Sequence, residues 1–305
     1  MKIGIGSVVV GNPKTTLDDL VAEVKSVEAD GFDFFSLPNI FGHDAISVLS
    51  IAGRETKRIE LATGVTPTPP RHPFSIAQQA LTAQAACKGR FVLGIGLSHK
   101  VVIENMLGLS YAQPAKQMRE YLEVLMPLAQ GKPVAFSGDL YKVNGALQCA
   151  GGTPLPVVVA ALGPKMLAVA GRLADGTATW MTGVKTLGDH TVPTITRAAQ
   201  EAGRPAPRVI AALPVALTKD AAAARDIANK VFAIYGQLPS YRAMLDREGA
   251  ANPADVGIVG DEATLRAGIA SLRSAGVTHF LASVYPADAG SIDRTRAFLK
   301  SEMGN

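Results

Sequence analysis

The chain has 305 residues, enough for one large barrel or two ordinary domains, and its length alone does not separate these options. Hydrophobic residues make up 48% of it and charged residues 18%, which is the balance of a folded globular protein. The formal net charge is +4 and the charges are scattered rather than gathered in runs, so we expect no nucleic-acid partner.

The N-terminal segment MKIGIGSVVVGNPKT begins as a strand-like apolar run and stops at a Gly-Asn-Pro turn, without a small-residue cleavage site. No segment approaches about 18 uninterrupted apolar residues. We therefore expect a cytoplasmic protein that makes no membrane contact. The two cysteines, Cys87 and Cys149, are far apart and lack ligand spacing, so neither a disulfide scaffold nor a metal site is expected.

Short apolar runs alternate with amphipathic stretches along nearly the whole chain, which is typical of strand-helix units around a parallel sheet. Eight strands rich in Val and Ile favour a closed (β/α)8 TIM barrel, formed by residues 1–305 as a single domain. An open doubly wound sheet is the alternative. The predicted strands are Ile3–Val10, Phe34–Leu37, Ile59–Val65, Phe91–Gly96, Leu155–Ala161, Thr177–Met181, Val209–Leu217 and Thr278–Val284.

Helical patterns fill the gaps between these strands. TTLDDLVAEVKSVEADG repeats apolar residues on one face and stops at Gly31, and HPFSIAQQALTAQAACKG follows the third strand in the same style. Insertions are predicted after strands 4 and 7. The first contains QPAKQMREYLEVLMPLAQG and the hairpin-like VAFSGDLYKVNGALQ, and the second contains AAAARDIANKVFAIYGQLPSYRAMLDREG. Both would wall or cap a site at the top of a barrel.

Two histidines, His43 and His99, lie just beyond the ends of the second and fourth strands, where barrel enzymes place their chemistry. Each is either a catalytic group or a loop side chain bonded to backbone or water. His190 and His279 are expected to be structural or solvated. G-x-G-x-x-G, G-x-x-x-x-G-K-[ST], H-E-x-x-H and G-x-S-x-G are absent from the sequence, which removes the usual signals of a Rossmann site, a P-loop, a zinc protease and a serine hydrolase.

The segment AALGPKML predicts an anion site. A strand ends there, a glycine turns the chain and Pro164 takes the first helical position, so free N–H groups and the helix dipole favour an anion such as phosphate. The alternative is a simple tight turn. Trp180, the only tryptophan, ends the sixth strand and either fills the barrel mouth or stacks on a flat cofactor or substrate.

Several stretches, in this order and spacing, resemble the bacterial luciferase-like monooxygenase superfamily, and within it the branch that uses the deazaflavin coenzyme F420. They include LATGVTPTPPRHP, AQQALTAQAACKGR, FVLGIGLS and VVVAALGPKMLAVAGRLADGTATWMTG. The match covers essentially the whole chain. Each motif is weak alone, and their joint order is fairly specific.

The resemblance implies a (β/α)8 barrel with the coenzyme at its C-terminal mouth. Gly64 and Val65 match a bulge with a non-proline cis peptide behind the deazaflavin ring. Arg71 and His72 would either hold the proline-rich corner that follows or reach the coenzyme. The matching cofactor-binding positions are Gly64, Val65, Ile95, Gly96, Ala161, Leu162, Gly163, Pro164 and Trp180, of which 161–164 would wrap the phosphate.

The chain also departs from the family pattern. Sugar-phosphate and folate-type members have an acidic residue and a histidine where this chain has Pro38 and Asn39, and Leu97 replaces a glutamate that often follows the fourth strand. Sugar-phosphate dehydrogenation is therefore in doubt. The candidate catalytic residues are His43, His99 and Asn39, with a reductase taking its proton from a histidine or from water, or with a different class of substrate.

We therefore expect an oxidoreductase that exchanges a hydride between F420 and a small organic substrate, in a mostly apolar pocket. One alternative is an FMN-dependent monooxygenase of the same fold. Another is a flavin- or deazaflavin-binding protein with little turnover, and a third is an unrelated barrel that binds a phosphorylated substrate. A homodimer is expected from the resemblance, with ISVLSIAGRE and IAQQALTAQAA as candidate interface helices.

Overall fold

A computed structural model describes residues 1–9 and 12–304. Eight parallel strands close into a barrel, because the last barrel strand pairs with the first, Ile3 lying opposite Phe280. The TIM-barrel prediction is confirmed, and the open-sheet alternative is wrong. In ring order the barrel strands are β1 (Lys2–Gly6), β2 (Phe34–Leu37), β3 (Glu60–Thr63), β5 (Phe91–Gly96), β8 (Val157–Ala160), β9 (Gly176–Trp180), β10 (Arg208–Leu217) and β12 (His279–Val284).

Four other strands of the described residues lie off this ring. β4 (Thr66–Pro67) resumes pairing with β5 after β3 is interrupted, and β11 (Ile258–Gly260) pairs with the end of β10. β6 (Val134–Ser137) and β7 (Lys142–Gly145) form the predicted hairpin. The first strand ends earlier than predicted, at Gly6, and Val10 lies outside the described residues.

The helices return the chain between strands and form the outer layer. Many begin at side-chain caps: Thr16 and Asp19 form a capping box, and Asp44 and Asp261 cap two others. The helices are α1 (Leu17–Ala29), α2 (Ala45–Glu55), α3 (Pro73–Ala86), α4 (Pro114–Ala129), α5 (Pro164–Leu173), α6 (Val184–Thr186), α7 (Val192–Glu201), α8 (Ala221–Val231), α9 (Ala233–Gln237), α10 (Pro239–Glu248), α11 (Glu262–Ser274) and α12 (Ser291–Ser301). Leu187–Thr191 and Val101–Met106 are π-helical and Pro253–Val256 is a 3₁₀ turn.

Two insertions are present where they were predicted, after the fourth and seventh barrel strands. Residues 97–156 contain the first π-helical turn, α4 and the β6–β7 hairpin. Residues 218–278 contain α8 to α11, the 3₁₀ turn and β11. Both insertions leave from the carboxyl ends of their strands, β5 and β10, and so they start at the same end of the barrel.

The core has an inner and an outer part because successive strand residues face opposite sides. The inner part fills the barrel with Phe34, Ala62, Val92, Val158 and Ile210. Gly4 leaves room for it, since a Cβ there would lie 2.5 Å from the Phe34 ring. The outer part lies between strands and helices and is larger.

The amino-terminal end of the barrel is closed by charged and aromatic groups around His279. Its ring packs edge-on against Phe34 at 5.6 Å, and Glu60 pairs with Arg208 and Lys2 nearby. Burial, with the charges of Arg208 and Lys2, lowers the pKa of His279 to about 3. His279 is therefore a buried neutral side chain far from the carboxyl ends of the strands.

Two absences hold for residues 1–9 and 12–304. None of the helices there combines the length and apolar character needed to cross a bilayer. Nor do three or more His, Cys, Asp or Glu side chains of these residues gather into a group that could hold a metal ion.

Candidate active site at the barrel mouth

The sequence-predicted site residues all lie at or just beyond the carboxyl ends of barrel strands, and the closed ring brings those ends together. The inward-facing positions nearest the mouth carry small side chains, whereas Trp180 is large. These small side chains fill less of the barrel than Phe34, Val92, Val158 and Ile210 do in the layer below. The small inward-facing residues are Gly6, Ser36, Gly96, Ala160, Ala212 and Ser283.

Gly64 and Val65 interrupt the third barrel strand, and the peptide bond between them is cis, as the resemblance implies. The Gly64 N–H donates to the Leu37 carbonyl at 2.9 Å, and a Cβ on Gly64 would lie 2.3 Å from the Ser36 hydroxyl oxygen. The Val65 side chain contacts Gly96, where an added Cβ would be 2.8 Å away. Close packing of glycines with Val65 forms the floor of the mouth.

The β3–β5 contact beneath this floor depends on Gly94. Thr63 donates its hydroxyl to the Gly94 carbonyl at 2.7 Å and accepts the Gly94 N–H at 2.9 Å. A Cβ on Gly94 would lie 2.0 Å from the Thr63 carbonyl oxygen. Ile95 and Gly96 were both predicted to bind the cofactor. Ile95 is fully buried in the outer core, so of the two only Gly96 faces the inside of the barrel.

Arg71 and His72 hold the proline-rich corner. The Arg71 guanidinium donates to the Pro67 carbonyl at 3.2 Å and pairs with the Asp44 carboxylate at 3.3 Å. His72 accepts the Phe74 N–H at 3.2 Å and caps α3, which begins at Pro73. Of the two predicted roles for Arg71 and His72, the structure shows the structural one.

Ala161, Leu162, Gly163 and Pro164 form the turn into α5. Gly163 is the N-cap, no side chain caps this helix, and a Cβ on Gly163 would meet nothing within 4 Å. The turn is held from below, since Thr177 donates to the Ala161 carbonyl at 3.3 Å and the His190 imidazole lies 2.9 Å from the Leu162 carbonyl. The electrostatic potential at a helix N-terminus is positive, and the space beside Gly163 is open, so an anion can bind at this turn.

The neighbouring helix start, at α6, is already neutralised. The Glu248 carboxylate accepts the Lys185 N–H at 3.1 Å and the Thr186 N–H at 2.7 Å. It approaches Gly183 so closely that a Cβ there would lie 2.2 Å from the carboxyl carbon. Of these two adjacent helix starts, the α5 start is therefore the one without a protein anion.

An aromatic wall, defined as Trp180, Phe232, Tyr235, Tyr241 and His99, stands on one side of the mouth. Trp180 packs edge-on against Phe232 and Tyr235, Tyr235 against Tyr241 at 5.2 Å, and Tyr241 lies 5.7 Å from His99. The wall joins the two insertions, because His99 follows β5 and Tyr241 belongs to α10.

The polar atoms of the aromatic wall are exposed to little water. The Trp180 indole N–H is buried and has no acceptor in good hydrogen-bond geometry within residues 12–304, although Tyr235 is its neighbour. Burial lowers the pKa of His99 and raises the pKa of Tyr241. Burial therefore favours the neutral form of the His99 imidazole.

The remaining two candidates lie in the β2–α2 loop. The Asn39 carboxamide oxygen accepts the Ala45 N–H at 3.0 Å, so it supports the start of α2. His43 is exposed, and no hydrogen bond or ring contact joins it to His99 within residues 12–304. The structure thus brings His99 into the aromatic wall and leaves His43 outside it.

Two residues of this site were not singled out from the sequence. His190 was expected to be structural or solvated, and it supports the carbonyl of Leu162. Glu248 had no assigned role, and it fixes α10 to the helix start after β9. Their partners lie 28 and at least 62 residues away, so no local spacing marks them.

The residues at the mouth fit a flat ring with a phosphate tail. The small inward-facing side chains suit a ring, the uncapped α5 start suits a phosphate, and the buried Trp180 N–H is a donor without a good acceptor. The fold is that of (β/α)8 barrel enzymes, which place their chemistry at the carboxyl ends of the strands.

The family model described as luciferase-like monooxygenase matches residues 3–284. The chain belongs to this family. The membership confirms the resemblance and supports the prediction that the chain is an oxidoreductase.

The chain is similar in sequence to two proteins with different named activities. The chain is 36% identical over 183 residues to the 5,10-methylenetetrahydromethanopterin reductase of Archaeoglobus fulgidus, covering 58% of this chain and 52% of that protein. It is 32% identical over 171 residues to the F420-dependent glucose-6-phosphate dehydrogenase of Nakamurella multipartita, covering 53% and 50%. Each match spans about half the length of the relative.

Two solved structures share the fold over nearly the whole chain. The coenzyme F420-dependent tetrahydromethanopterin reductase of Methanopyrus kandleri has a TM-score of 0.83 and 24% identity, covering 99% of this chain and 97% of that one. The FMN complex of the oxygenating constituent of 3,6-diketocamphane monooxygenase from Pseudomonas putida has a TM-score of 0.78 and 17% identity, covering 99% and 97%. These similarities confirm the luciferase-like barrel.

Proposed function

We propose that the protein is an F420-dependent oxidoreductase that exchanges a hydride between the deazaflavin and a small organic substrate. This proposal rests mainly on two features that lie at the same end of the barrel. They are the uncapped start of α5 and the glycine-lined floor. The relative from Nakamurella multipartita, whose name includes F420, supports the choice of deazaflavin over FMN.

Each part of the site has a role in this proposal. The Gly64–Val65 bulge and Gly96 would support one face of the ring, and the turn 161–164 would hold the phosphate through backbone N–H groups. When bound, F420 would supply or accept the hydride. Trp180 would border the ring and keep water from it, as part of the aromatic wall.

His99 is the residue we assign to proton transfer. A neutral imidazole accepts a proton from a substrate hydroxyl when the substrate is oxidised, and its protonated form returns one when the substrate is reduced. Burial lowers its pKa, so oxidation can proceed at a lower pH than an ordinary histidine would allow. Asn39, by contrast, positions the β2–α2 loop.

Anaerobic turnover tests this function. Purified protein is mixed with F420 and a panel of secondary alcohols, or with reduced F420 and the matching ketones, and the deazaflavin absorbance is followed. Substrate-dependent change in that absorbance supports the proposal. Oxygen uptake with reduced FMN, without F420 turnover, would contradict it and support the monooxygenase alternative. Binding of F420 with no reaction across the panel would support the binding-protein alternative.

A further inference from the structure

Large hydrophobic side chains are exposed around the barrel mouth. Among the described residues, those outside the mouth are Ile51 on α2 and Leu140 in the β6–β7 hairpin. All the others belong to the segments that follow β1, β2, β5 and β10. They are Val8, Ile40, Phe41, Val101, Met106, Leu107, Leu109, Val231 and Ile234.

We define the apolar rim as the six most exposed of these, Ile40, Phe41, Val101, Met106, Val231 and Ile234. Their exposed fractions run from 50% for Ile40 to 68% for Phe41. The rim comes from three separated sectors of the ring, since β2, β5 and β10 are not neighbours. Single surface hydrophobics need no explanation, but several that follow the carboxyl ends of barrel strands, where barrel enzymes bind their substrates, indicate a binding surface.

The charges near the rim are few, and most of those in the β2 and β5 segments are paired, whereas exposed Lys230, next to Val231, forms no ion pair within the described residues. Asp44 is bound to Arg71, and Lys100 lies 3.7 Å from Glu104. Residues 231–241 carry no charged side chain at all. At the strand ends, Pro38 and Leu97 offer no charge, and in the proposed function the α5 start is taken by the cofactor phosphate. An ionic group on a substrate would therefore find few counter-charges beside the rim among the described residues.

We infer that the substrate is a neutral, largely hydrocarbon molecule whose reacting group enters the mouth while its apolar part lies on the apolar rim. This inference rests on the proposed function and narrows it to a class of substrate. The continuity of the rim with the aromatic wall supports a substrate rather than a protein partner, because Val231 and Ile234 flank the wall residue Phe232 in sequence.

The test uses 3-alkylcyclohex-2-enones with unbranched chains from methyl to octyl, and an octyl analogue ending in a carboxylate. Binding to cofactor-free protein is followed by quenching of Trp180, the only tryptophan. With reduced F420, kcat/KM for reduction of the enone is measured on the same series. Each added CH2 is expected to tighten binding by up to about fourfold, from about 0.8 kcal/mol per buried CH2. The carboxylate is expected to weaken binding at least about tenfold.

Matched variants locate the effect. Phe41→Ser and Met106→Ser are expected to flatten the chain-length dependence of both Kd and kcat/KM while the methyl compound is unchanged. Ile51→Ser removes an exposed side chain of similar size from the outer face of α2 and should leave the series intact. Circular dichroism confirms that each variant is folded, which is expected because all three side chains are exposed.

The inference would be overturned if the Kd of the wild-type protein did not change with chain length. It would also be overturned if the carboxylate analogue bound as tightly as the octyl compound. A dimer that dissociates in Phe41→Ser but not in Ile51→Ser would overturn it as well, because a second copy of the chain would then cover the rim. The proposed function and this inference can fail separately. Quenching that depends on chain length, without F420 turnover, contradicts only the proposed function. F420 turnover that does not depend on chain length contradicts only this inference.

Discussion

Replacing Gly163 with aspartate should separate helix stability from anion binding at the α5 start. The position has open space for a side chain and an extended backbone, with φ −77° and ψ 156°, which is the conformation of an N-cap aspartate. The new carboxylate would accept N–H groups of the first turn. The helix should be stabilised by a few tenths of a kcal/mol, while the same N–H groups are withdrawn from a phosphate.

The expected loss of affinity follows from charge. A carboxylate about 5 Å from a phosphate is repelled by about 3 kcal/mol at an effective dielectric constant of 20, which corresponds to about 100-fold weaker binding of F420. Salt screening reduces this, so about 10- to 100-fold is expected at physiological ionic strength.

Gly163→Ala is the matched control, because it adds a Cβ without charge. F420 binding is measured by fluorescence titration and stability by thermal unfolding. The expected result is weak F420 binding with an unchanged or raised Tm in the aspartate variant. The alanine variant is expected to bind F420 nearly as well as the wild type. Equal F420 affinity in all three proteins would refute the reasoning, because the phosphate would then lie elsewhere.

Three further predictions concern residues that the structure places around the site and at the opposite end. Glu248→Ala should destabilise the protein by about 1 kcal/mol in urea unfolding, because the exposed Lys185 N–H and the partly buried Thr186 N–H lose their acceptor, and an unchanged midpoint would contradict the capping role. His99→Gln should abolish the low-pH inflection in kcat/KM for substrate oxidation, and a wild-type pH profile would exclude His99 as the proton acceptor. His279 has a pKa of about 3 when folded and about 6.5 when unfolded, so the unfolded state binds more protons between these values and the free energy of unfolding falls as pH falls. The wild type should lose about 2 kcal/mol between pH 7 and pH 5 from this residue, and His279→Gln should lose correspondingly less; equal losses would contradict the assignment.

Much of the fold could be predicted from the sequence because several strands, such as β1, β8 and β10, are short runs rich in Val or Ile and are followed by helix signals. Pro73 marked the start of α3 and Gly31 marked the turn after α1, and both lie where local chemistry puts them. The short strand β11 was missed because Ile258–Gly260 is too short for a period to show.

The site was predictable where a local signal exists and not where it depends on distant partners. The helix start at Gly163 and Pro164 could be read from the order of glycine and proline. Glu248 could not, because its role is to accept N–H groups from another segment. Asn39 was expected to be catalytic only because it occupies a position that is catalytic in similar proteins. Its carboxamide oxygen accepts a hydrogen bond from the Ala45 N–H.

Equilibrium titration of cofactor-free protein with F420 and, separately, with FMN, followed by the fluorescence of Trp180, tests which cofactor the barrel binds. F420 is expected to bind with micromolar or tighter affinity, and FMN is expected to bind weakly. Preferential binding of FMN would contradict the F420 assignment, and binding of neither would show that the luciferase-like barrel here serves another chemistry.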